Sequence, residues 1–265
     1  MTCDSAESRD DERDPVLAAW RAAGIEGRAV RWDDPGVDWS VFDAAVVRSV
    51  WDYVDRRPEF LAWAKATAGV TRLLNPAPIL DANTDKTYLR ELGLPAVPTH
   101  WSADDLPDWP EYVVKPAVSA GARDTIRTTD RAVARAHAQA LTDAGRTPMV
   151  QPYLDMVEAE GETSLLYFNR TFSHAVRRNA MLAGGQTLAD NGRADLRTPA
   201  PDLVELAEKV LAAVPGDLLY ARVDLIRLPD GSPALMELEL TEPYLYLSHM
   251  DGAADRLAQA LTELL

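Results

Sequence analysis

Two strand-like segments joined by a tight turn place the strongest constraint on how this chain can fold. Residues 218–228 and 234–240 alternate apolar and polar side chains, as strands with one buried face do. Between them glycine follows aspartate, at Asp230 and Gly231, which favours a hairpin turn because glycine accepts a positive φ. The pattern predicts an antiparallel β-hairpin near the end of the chain.

The charged residues of this hairpin face one another if the turn is centred on its aspartate–glycine bond. Asp224 then faces Glu237 and Arg222 faces Glu239, with Cβ atoms about 5 Å apart, while Met236 lies on the opposite face. Two facing carboxylates repel each other, and one pKa rises unless a cation lies between them. Mg²⁺ suits such a place, because it binds carboxylates together with substrate phosphates. A solvated acidic face, with Arg222 paired to a glutamate, is the alternative that remains open.

A lysine ends another predicted strand. Residues 111–115 form an apolar run that closes with Lys115, Pro116 stops the strand, and residues 117–122, which include Ser119, are small. Small residues let backbone N–H groups approach phosphate oxygens, and a lysine beside such a loop can neutralise the α- or β-phosphate of a nucleotide. The alternative for this segment is an ordinary turn with a surface lysine.

Lys86 is a second candidate for binding phosphate. A helix is predicted over residues 81–92, capped by Asp81 or Asn83, so that Lys86 falls within its first two turns. The N-terminus of a helix favours anions, and the lysine adds positive charge there, although the helix taken alone favours a solvated lysine.

The type of predicted secondary-structure arrangement changes along the chain. Before residue 80, helices and short apolar strands alternate, which predicts a small parallel sheet covered by helices. After residue 97 the pattern predicts α+β structure. Helices are predicted at 15–23, 58–68, 131–144, 201–214 and 251–265, strands at 28–32, 42–49, 70–74, 112–115, 123–128, 149–151, 162–168 and 172–177, and a long loop at 179–199.

Charge and composition exclude several classes of protein. With 27 Lys and Arg against 42 Asp and Glu, the formal net charge is −15, which disfavours DNA and RNA as partners. No apolar run approaches the roughly 18 residues that cross a bilayer, and the acidic start lacks the apolar centre of a signal peptide. The one cysteine, Cys3, cannot form an internal disulfide, so we expect a cytoplasmic protein without a membrane partner. The acidic run at residues 10–14 is expected to be a solvated end.

Short motifs follow one another along nearly the whole chain. They are Arg48-Ser49-Val50-Trp51-Asp52-Tyr53, Asn83-Thr84-Asp85-Lys86, Gly93-Leu94-Pro95, Val113-Val114-Lys115-Pro116, Val150-Gln151-Pro152-Tyr153-Leu154, Gly161-Glu162-Thr163-Ser164, Arg222-Val223-Asp224 and Glu237-Leu238-Glu239 with Glu242-Pro243. In order and spacing they resemble the ATP-grasp superfamily, especially its glutathione-synthetase-like and cycloserine-synthetase-like branches.

The resemblance implies a three-lobed ATP-grasp fold of α/β and α+β type, with ATP between the last two lobes. It implies an N-terminal parallel βα domain at residues 1–80 and an ATP-grasp domain at 81–265. The latter would contain a lid lobe at about 97–152 and a catalytic lobe at about 153–265. A first strand is implied where Met1-Thr2-Cys3 stand, so either the chain starts upstream or this edge is short.

The resemblance also implies residue roles. Arg222 would face the reacting phosphate and acyl group, and Mg²⁺ would be bound by Asp224, Glu237 and Glu239, the last at a position where many members have asparagine. Lys86, Lys115 and the Ser119 loop would contact phosphates, and the strand with Gln151, Tyr153 and Leu154 would contact adenine, with Glu162 on the ribose. The substrate candidates are Arg48, Trp51, Asp52, Tyr53 and Arg178; core positions suit Trp51 and Tyr53 equally well, and a surface position suits Arg178.

The implied function is that of an ATP- and Mg²⁺-dependent ligase that forms a C–N bond. A small carboxylate substrate would become an acyl phosphate and be attacked by an amine, on a second molecule or on the same one, as in the biosynthesis of a specialised metabolite such as an antibiotic. A homodimer is compatible with this function. An ATP-grasp kinase and a non-catalytic nucleotide-binding protein are the alternatives, and hydroxylamine separates ligase from kinase because an acyl phosphate yields a hydroxamate.

Overall fold

Three β-sheets organise the residues that the computed structural model describes, which are 1–3, 10–179 and 194–265. The strands are β1 (Ala44–Val46), β2 (Arg72–Leu74), β3 (Tyr112–Pro116), β4 (Ile126–Thr128), β5 (Pro148–Pro152), β6 (Glu162–Phe168), β7 (Thr171–Arg178), β8 (Ala194–Leu196), β9 (Tyr220–Arg227) and β10 (Pro233–Glu239). β1 and β2 are parallel, β4-β3-β5 form an antiparallel sheet, and β10-β9-β6-β7-β8 form the largest sheet. The predicted mixture of α/β and α+β structure is confirmed, whereas the lobe boundaries stay predictions.

Helices cover both faces of the five-stranded sheet. The helices are α1 (Arg13–Ala22), α2 (Arg57–Ala68), α3 (Ala77–Asn83), α4 (Arg131–Asp143), α5 (Met156–Ala159), α6 (Pro201–Ala212) and α7 (Ala253–Leu264), with short 3-10 helices at Trp39–Val41, Trp51–Asp55, Lys86–Arg90 and Leu247–His249. α1 and α7 pack on one face of the sheet, and α6 packs on the other. None of these helices combines the length and apolar composition that a membrane-spanning segment needs.

The predicted loop at 179–199 is corrected in one part. β8 pairs with β7 inside that range, so residues 194–196 are a strand, although a short and exposed one. Residues 180–193 of the predicted loop lie outside the described residues.

The N-terminal parallel sheet is shorter than the sequence predicts. β1 and β2 have three residues each, and the strand predicted at 28–32 is reduced to the neighbourhood of Val30 and Trp32, which exchange backbone hydrogen bonds with Thr2 at 3.0 and 3.1 Å. Thr2 also forms a parallel bridge with Ser49. Residues 1–3 therefore lie between two other chain segments and complete the sheet over a very short length.

The single helix predicted at 81–92 is wrong, because the structure has two separate helices in this region, each with its own N-cap residue. α3 begins directly after Pro76, whose extended backbone makes it an N-cap, and it has ended before Asp85. Asp85 is extended as well, and its carboxylate caps the 3-10 helix that starts at Lys86. Lys86 is therefore the first residue of a second, shorter helix, and neither predicted cap residue plays that role.

A β-bulge sets the register of the β9–β10 hairpin. Nearer the turn Leu235 pairs with Leu225, and beyond the bulge Glu237 pairs with Asp224. The predicted pairing of the charged residues is confirmed, but the pairing next to the turn differs from the predicted register by one residue, and the bulge makes up the difference. The extra residue, Met236, lines a cavity instead of facing away from it.

Side chains from the segment before β3 cover the free edge of β10. Tyr88 accepts a hydrogen bond from the Leu238 N–H at 2.8 Å, and the Asn83 amide accepts from the Leu240 N–H at 2.8 Å and donates to the Leu238 carbonyl at 2.7 Å. Asn75, fully buried, donates to the carbonyls of Tyr220 and Leu240. These side chains satisfy backbone groups that an edge strand leaves unpaired, and they fix the hairpin to the preceding chain.

We expect Tyr88→Phe to lower the free energy of unfolding by roughly 1–3 kcal/mol, because it leaves the buried Leu238 N–H without its acceptor. Tyr244→Phe is the matched control, since its hydroxyl bonds only to the exposed carboxylate of Asp11, and we expect a change below about 0.5 kcal/mol. Urea unfolding of both variants measures this difference. Equal midpoints for the two variants would contradict the role given to Tyr88.

Candidate active site

A cavity of about 1070 Å³ opens between the segment that follows β1, the β4-β3-β5 sheet and the five-stranded sheet. Small-molecule pockets usually measure roughly 300–1,000 Å³, so this one has room for a nucleotide and a further small substrate. Its lining includes Trp51, Asp52, Tyr53, Lys86, Lys115, Ser119, Gln151, Tyr153, Leu154, Glu162, Arg178, Arg222, Asp224, Glu237 and Glu239. The fold therefore brings all of the predicted site residues except Arg48 to this one cavity.

Asp224 is the most buried charged residue of the cavity wall, with 1% of its surface exposed. Its two oxygens accept hydrogen bonds from the Ser164 hydroxyl at 2.6 Å, from Arg178 at 2.7 Å and from the Arg222 Nε at 3.0 Å. Burial alone would raise the pKa of Asp224, but the two guanidinium groups outweigh it and hold the pKa below its usual value. Asp224 is therefore ionised and fixes both arginines.

Strand register produces this network. Ser164 on β6 pairs with Asp224 on β9, and Glu162 on β6 pairs with Arg178 on β7. Facing residues of antiparallel strands have neighbouring side chains, so Arg178 also donates to Glu162, at 2.5 Å. Arg178 thus bridges two carboxylates of the cavity wall; a ribose contact for Glu162 stays a prediction.

Arg222 joins the hairpin to the chain that follows it. Its guanidinium donates to Asp224, to Glu239 on β10 and, at 3.1 Å, to the Tyr244 carbonyl. Only 4% of Arg222 is exposed, and every contact is to a fixed acceptor. The residue predicted to face the reacting groups is therefore held rigidly in the cavity wall.

Lys86 is paired inside the cavity. Its ammonium lies 3.2 Å from a Glu237 oxygen and donates to the Ser119 carbonyl at 2.8 Å. Burial acts to lower the pKa of Lys86, but Glu237, Glu239 and Glu242 together outweigh it, and the pKa lies above its ordinary value. Lys86 is charged, and it ties β10 to the loop after β3.

Lys115 differs from Lys86 because its ammonium has no hydrogen-bond or ion-pair partner among the described residues. It lines the cavity, and burial lowers its pKa below the ordinary value for lysine. An unpaired cation in such a place can bind an anion without first breaking another contact. The loop beyond it turns sharply, with positive φ values at Gly121, Ala122 and Asp124.

The predicted linking strand also reaches the cavity. The Gln151 side chain donates to Thr99 at 2.8 Å, and the Tyr153 hydroxyl donates to Glu158 at 2.6 Å. The guanidinium of Arg127 lies 3.4 Å from the centre of the Tyr153 ring. Leu154 packs in an apolar cluster that includes Val97 and, on β9, Ile226. Adenine contacts of this strand stay a prediction.

Two carboxylates near the end of β10, Glu239 and Glu242, have raised pKa values, although Glu239 is paired with Arg222. Burial, with Glu237 and Asp224 nearby, raises the pKa of Glu239 to about 7. Burial and the charge of Glu239 raise the pKa of Glu242 to about 8. Hard oxygen donors crowded in this way fit a divalent cation, and Glu237 and Glu239 are the two that would hold it together with phosphate oxygens.

The predicted three-carboxylate chelate is not assembled in the structure. Within the described ranges, no three metal-ligand side chains are grouped about one point. The reason is that Asp224 turns its oxygens to Ser164, Arg178 and Arg222. The assignment of Mg²⁺ to the hairpin stays a prediction, with Asp224 as an anchor for the arginines in this conformation.

The predicted substrate role of Arg48 is also corrected. Arg48 does not line the cavity, because its guanidinium is paired with Glu12 at 2.7 Å and donates to the Pro243 carbonyl at 3.1 Å. Glu12, 3% exposed, accepts from the N–H groups of Leu245 and Leu247 as well. The acidic run at 10–14 is therefore not merely a solvated end.

The other substrate candidates do reach the cavity. Trp51 and Tyr53 line it, and the Tyr53 hydroxyl is hydrogen-bonded to Glu242. Asp52 also lines it, but its carboxylate accepts from the Trp32 indole at 2.9 Å and lies 3.6 Å from Arg56. Its charge is thus already balanced within the N-terminal lobe.

Sequence reasoning missed two functional candidates. Ser164 stands two residues after Glu162 on β6, so strand alternation alone would have put both on the cavity face. Glu242 follows β10 in an irregular segment, where periodicity gives no signal, and the pairing with Tyr53 joins residues far apart in the chain.

Comparison with known proteins agrees with this fold and cavity. Residues 1–75 match the family described as D-cycloserine synthetase DcsG, N-terminal domain. The chain is 36% identical to the cycloserine biosynthesis protein DcsG of Streptomyces lavendulae, over 96% of this chain and 94% of that protein.

Solved structures give the same result. The crystal structure of D-cycloserine synthetase DcsG superposes with a TM-score of 0.90 at 34% identity, covering 99% of this chain and 97% of that one. A RimK domain ATP-grasp protein from Sphaerobacter thermophilus shares the fold, with a TM-score of 0.68 at 16% identity over 94% of this chain and 95% of that one. The predicted resemblance is confirmed: this chain is an ADP-forming, C–N bond-forming enzyme and belongs to the D-cycloserine synthetase DcsG family of ATP-grasp ligases.

Proposed function

We propose that this ligase closes a ring within one small amino acid, joining its carboxyl carbon to a nitrogen on its side chain, with ATP and Mg²⁺. The observation that carries the proposal is the convergence of Lys86, Lys115 and Arg222 on one cavity with the hairpin carboxylates. The DcsG relative is named for cycloserine, whose ring contains such a C–N bond. A serine-derived amino acid with a nitrogen on its side-chain oxygen is the matching substrate class.

The cations divide the work of binding ATP. Lys115, which has no partner among the described residues, attracts the α- and β-phosphates, while Lys86 holds the Ser119 loop over them. Glu162 accepts hydrogen bonds from the ribose hydroxyls, and the strand with Gln151, Tyr153 and Leu154 contacts the adenine. Each of these side chains or backbone segments lines the cavity before the nucleotide arrives, so little reorganisation is needed.

The substrate carboxylate attacks the γ-phosphorus, the bond to the β-phosphate oxygen breaks, and ADP leaves. Arg222, rigidly held by Asp224, stabilises the charge on the transferring group and then on the acyl phosphate. The nitrogen of the same molecule attacks the acyl carbon, and inorganic phosphate leaves. Arg178, fixed by Glu162 and Asp224, adds positive charge to the same wall.

Mg²⁺ would be held by Glu237 and Glu239 with phosphate oxygens, and it supplies charge neutralisation of the triphosphate. The crowding of carboxylates described above supports this assignment. Lys86 now pairs with Glu237, so the same carboxylate links the lysine and the cation site.

D-serine with ATP, Mg²⁺ and hydroxylamine tests the reaction class. D-serine has the carboxylate but no side-chain nitrogen, so we expect ADP together with serine hydroxamate. With β-aminooxyalanine in place of D-serine, we expect ADP and a cyclic product lighter than the substrate by one water molecule. Mass spectrometry identifies both products. A phosphorylated hydroxyl, with no hydroxamate, would show a kinase instead.

Lys115→Met should weaken ATP binding about tenfold or more, because it removes a charge-assisted contact to phosphate. Lys209→Met is the matched control, since Lys209 pairs with Glu205 on an exposed helix face and should leave affinity unchanged. Burial lowers the pKa of Lys115, and only the charged form attracts phosphate, so wild-type affinity should fall as pH rises through that lowered pKa. Calorimetric titration with ATP across pH measures both effects; an unchanged affinity in Lys115→Met removes the residue from the site.

Glu237→Gln should reduce turnover at least about 10²-fold and raise the Mg²⁺ concentration needed for half-maximal rate. It is a cleaner test than Asp224→Asn, which would leave Arg178 and Arg222 without their buried partner and cost roughly 3–5 kcal/mol of stability. Rates measured against Mg²⁺ concentration, beside thermal unfolding, separate the two causes. A wild-type Mg²⁺ dependence in folded Glu237→Gln would contradict the assignment.

A further inference from the structure

Glu242 is the one carboxylate of the hairpin end that lacks a cationic partner among the described residues. Asp224 pairs with Arg178 and Arg222, Glu237 pairs with Lys86, and Glu239 pairs with Arg222. The contact of Glu242 is the neutral hydroxyl of Tyr53. A hydroxyl donates one hydrogen bond but brings no positive charge, and Lys86, whose charge also acts on Glu242, is itself paired with Glu237. A further cation beside Glu242 would therefore stabilise its ionised form.

The backbone on both sides of Glu242 is pinned. Before it, the Thr241 carbonyl accepts a hydrogen bond from the Tyr220 hydroxyl at 2.9 Å. After it, Arg48 donates to the Pro243 carbonyl, and Arg222 donates to the Tyr244 carbonyl, each at 3.1 Å. Arg48 therefore acts on the site through the backbone beside Glu242. A carboxylate held in this way keeps its direction before any ligand arrives.

Glu242 and Lys115 reach the cavity from different segments of the chain. Tyr53, to which it is bonded, belongs to the 3-10 helix Trp51–Asp55 of the N-terminal region, and Trp51 and Tyr244 line the same cavity. Lys115, in contrast, belongs to β3 of the three-stranded sheet. Among the described residues, the cavity therefore contains an unpaired cation on the three-stranded sheet and a carboxylate without an ion-pair partner next to the N-terminal region.

We propose that Glu242, oriented by the Tyr53 hydroxyl, binds the primary ammonium group of the amino-acid substrate and so selects amino acids over plain carboxylic acids. The ammonium supplies the missing charge, and its three N–H donors suit a carboxylate that already accepts one bond from Tyr53. The substrate carboxylate is then directed away from the acidic Glu242, towards Arg222 and the phosphates. The inference rests on the proposed function, because it takes the substrate to be an amino acid.

Two ligands that differ only in the amino group test this directly. D-cycloserine carries a primary amine on its ring, and isoxazolidin-3-one is the same ring without it. We expect wild-type enzyme with ADP and Mg²⁺ to bind D-cycloserine on the order of tenfold or more tightly than isoxazolidin-3-one in calorimetric titrations. In Glu242→Gln the two affinities should become nearly equal, with the affinity for isoxazolidin-3-one unchanged.

Control variants separate this role from a structural one. Glu208→Gln removes the same charge from an exposed position on α6 and should keep the wild-type preference for the amine. Tyr53→Phe should lose part of the preference, because Glu242 loses the hydrogen bond that orients it. Thermal unfolding of Glu242→Gln should show no loss of stability, since the substitution removes a poorly compensated charge.

The outcomes are distinct. A wild-type preference retained in Glu242→Gln, or an equal loss of affinity for both rings, would overturn the inference and leave the ligase assignment intact. An altered Mg²⁺ requirement with the preference unchanged would overturn it too and make Glu242 a metal ligand. Wild-type enzyme that binds neither ring would refute the proposed product class and the inference with it.

Discussion

An ionised carboxylate with 1% of its surface exposed, such as that of Asp224, is stable only if positive partners replace the water that it has lost, because burial of an unpaired ion costs several kcal/mol. Here Arg178 and Arg222 replace it, from strands on either side of β6, and Ser164 of β6 completes the set. These contacts therefore stabilise the observed register of the three strands. The remaining charges of the cavity are arranged around that fixed centre.

This arrangement separates charge along the cavity. Arg178 forms an ion pair with Asp224, and Lys86 forms one with Glu237. Arg222 is paired with both Asp224 and Glu239. Among the residues that the structure describes, Lys115 has no ion-pair partner, and Glu242 has the Tyr53 hydroxyl as its hydrogen-bond partner. An amino acid beside a nucleotide has the complementary pattern, with phosphates at one end and an ammonium at the other. Complementarity of this kind fixes the orientation of two ligands relative to each other, which is what a reaction between them requires.

Local sequence patterns predicted the hairpin, its charged face and the lysine at the end of β3, because alternation and turn chemistry act over a few residues. The cavity residues of β5 and β6 were predicted only by the resemblance to ATP-grasp ligases. They could not predict the bulge at Met236, since a bulge changes the register without changing the composition. They also missed the pairing of Glu12 with Arg48, which joins a terminal acidic run to the end of β1 and to the backbone after β10. Such contacts depend on how separate lobes meet, and this is not encoded in the spacing of either segment.

The segment that covers the edge of β10 also contributes a residue to the cavity, so the same residues hold the hairpin in place and form part of the site. A free edge strand would present unpaired backbone groups, and here side chains of Asn83 and Tyr88 bind them in place of another strand. The same short segment leads into Lys86, which holds Glu237 and the loop after β3. Lys86 is thus a direct contact between β10 and the loop after β3. A ligand that displaced this loop would therefore also act on Glu237 through Lys86.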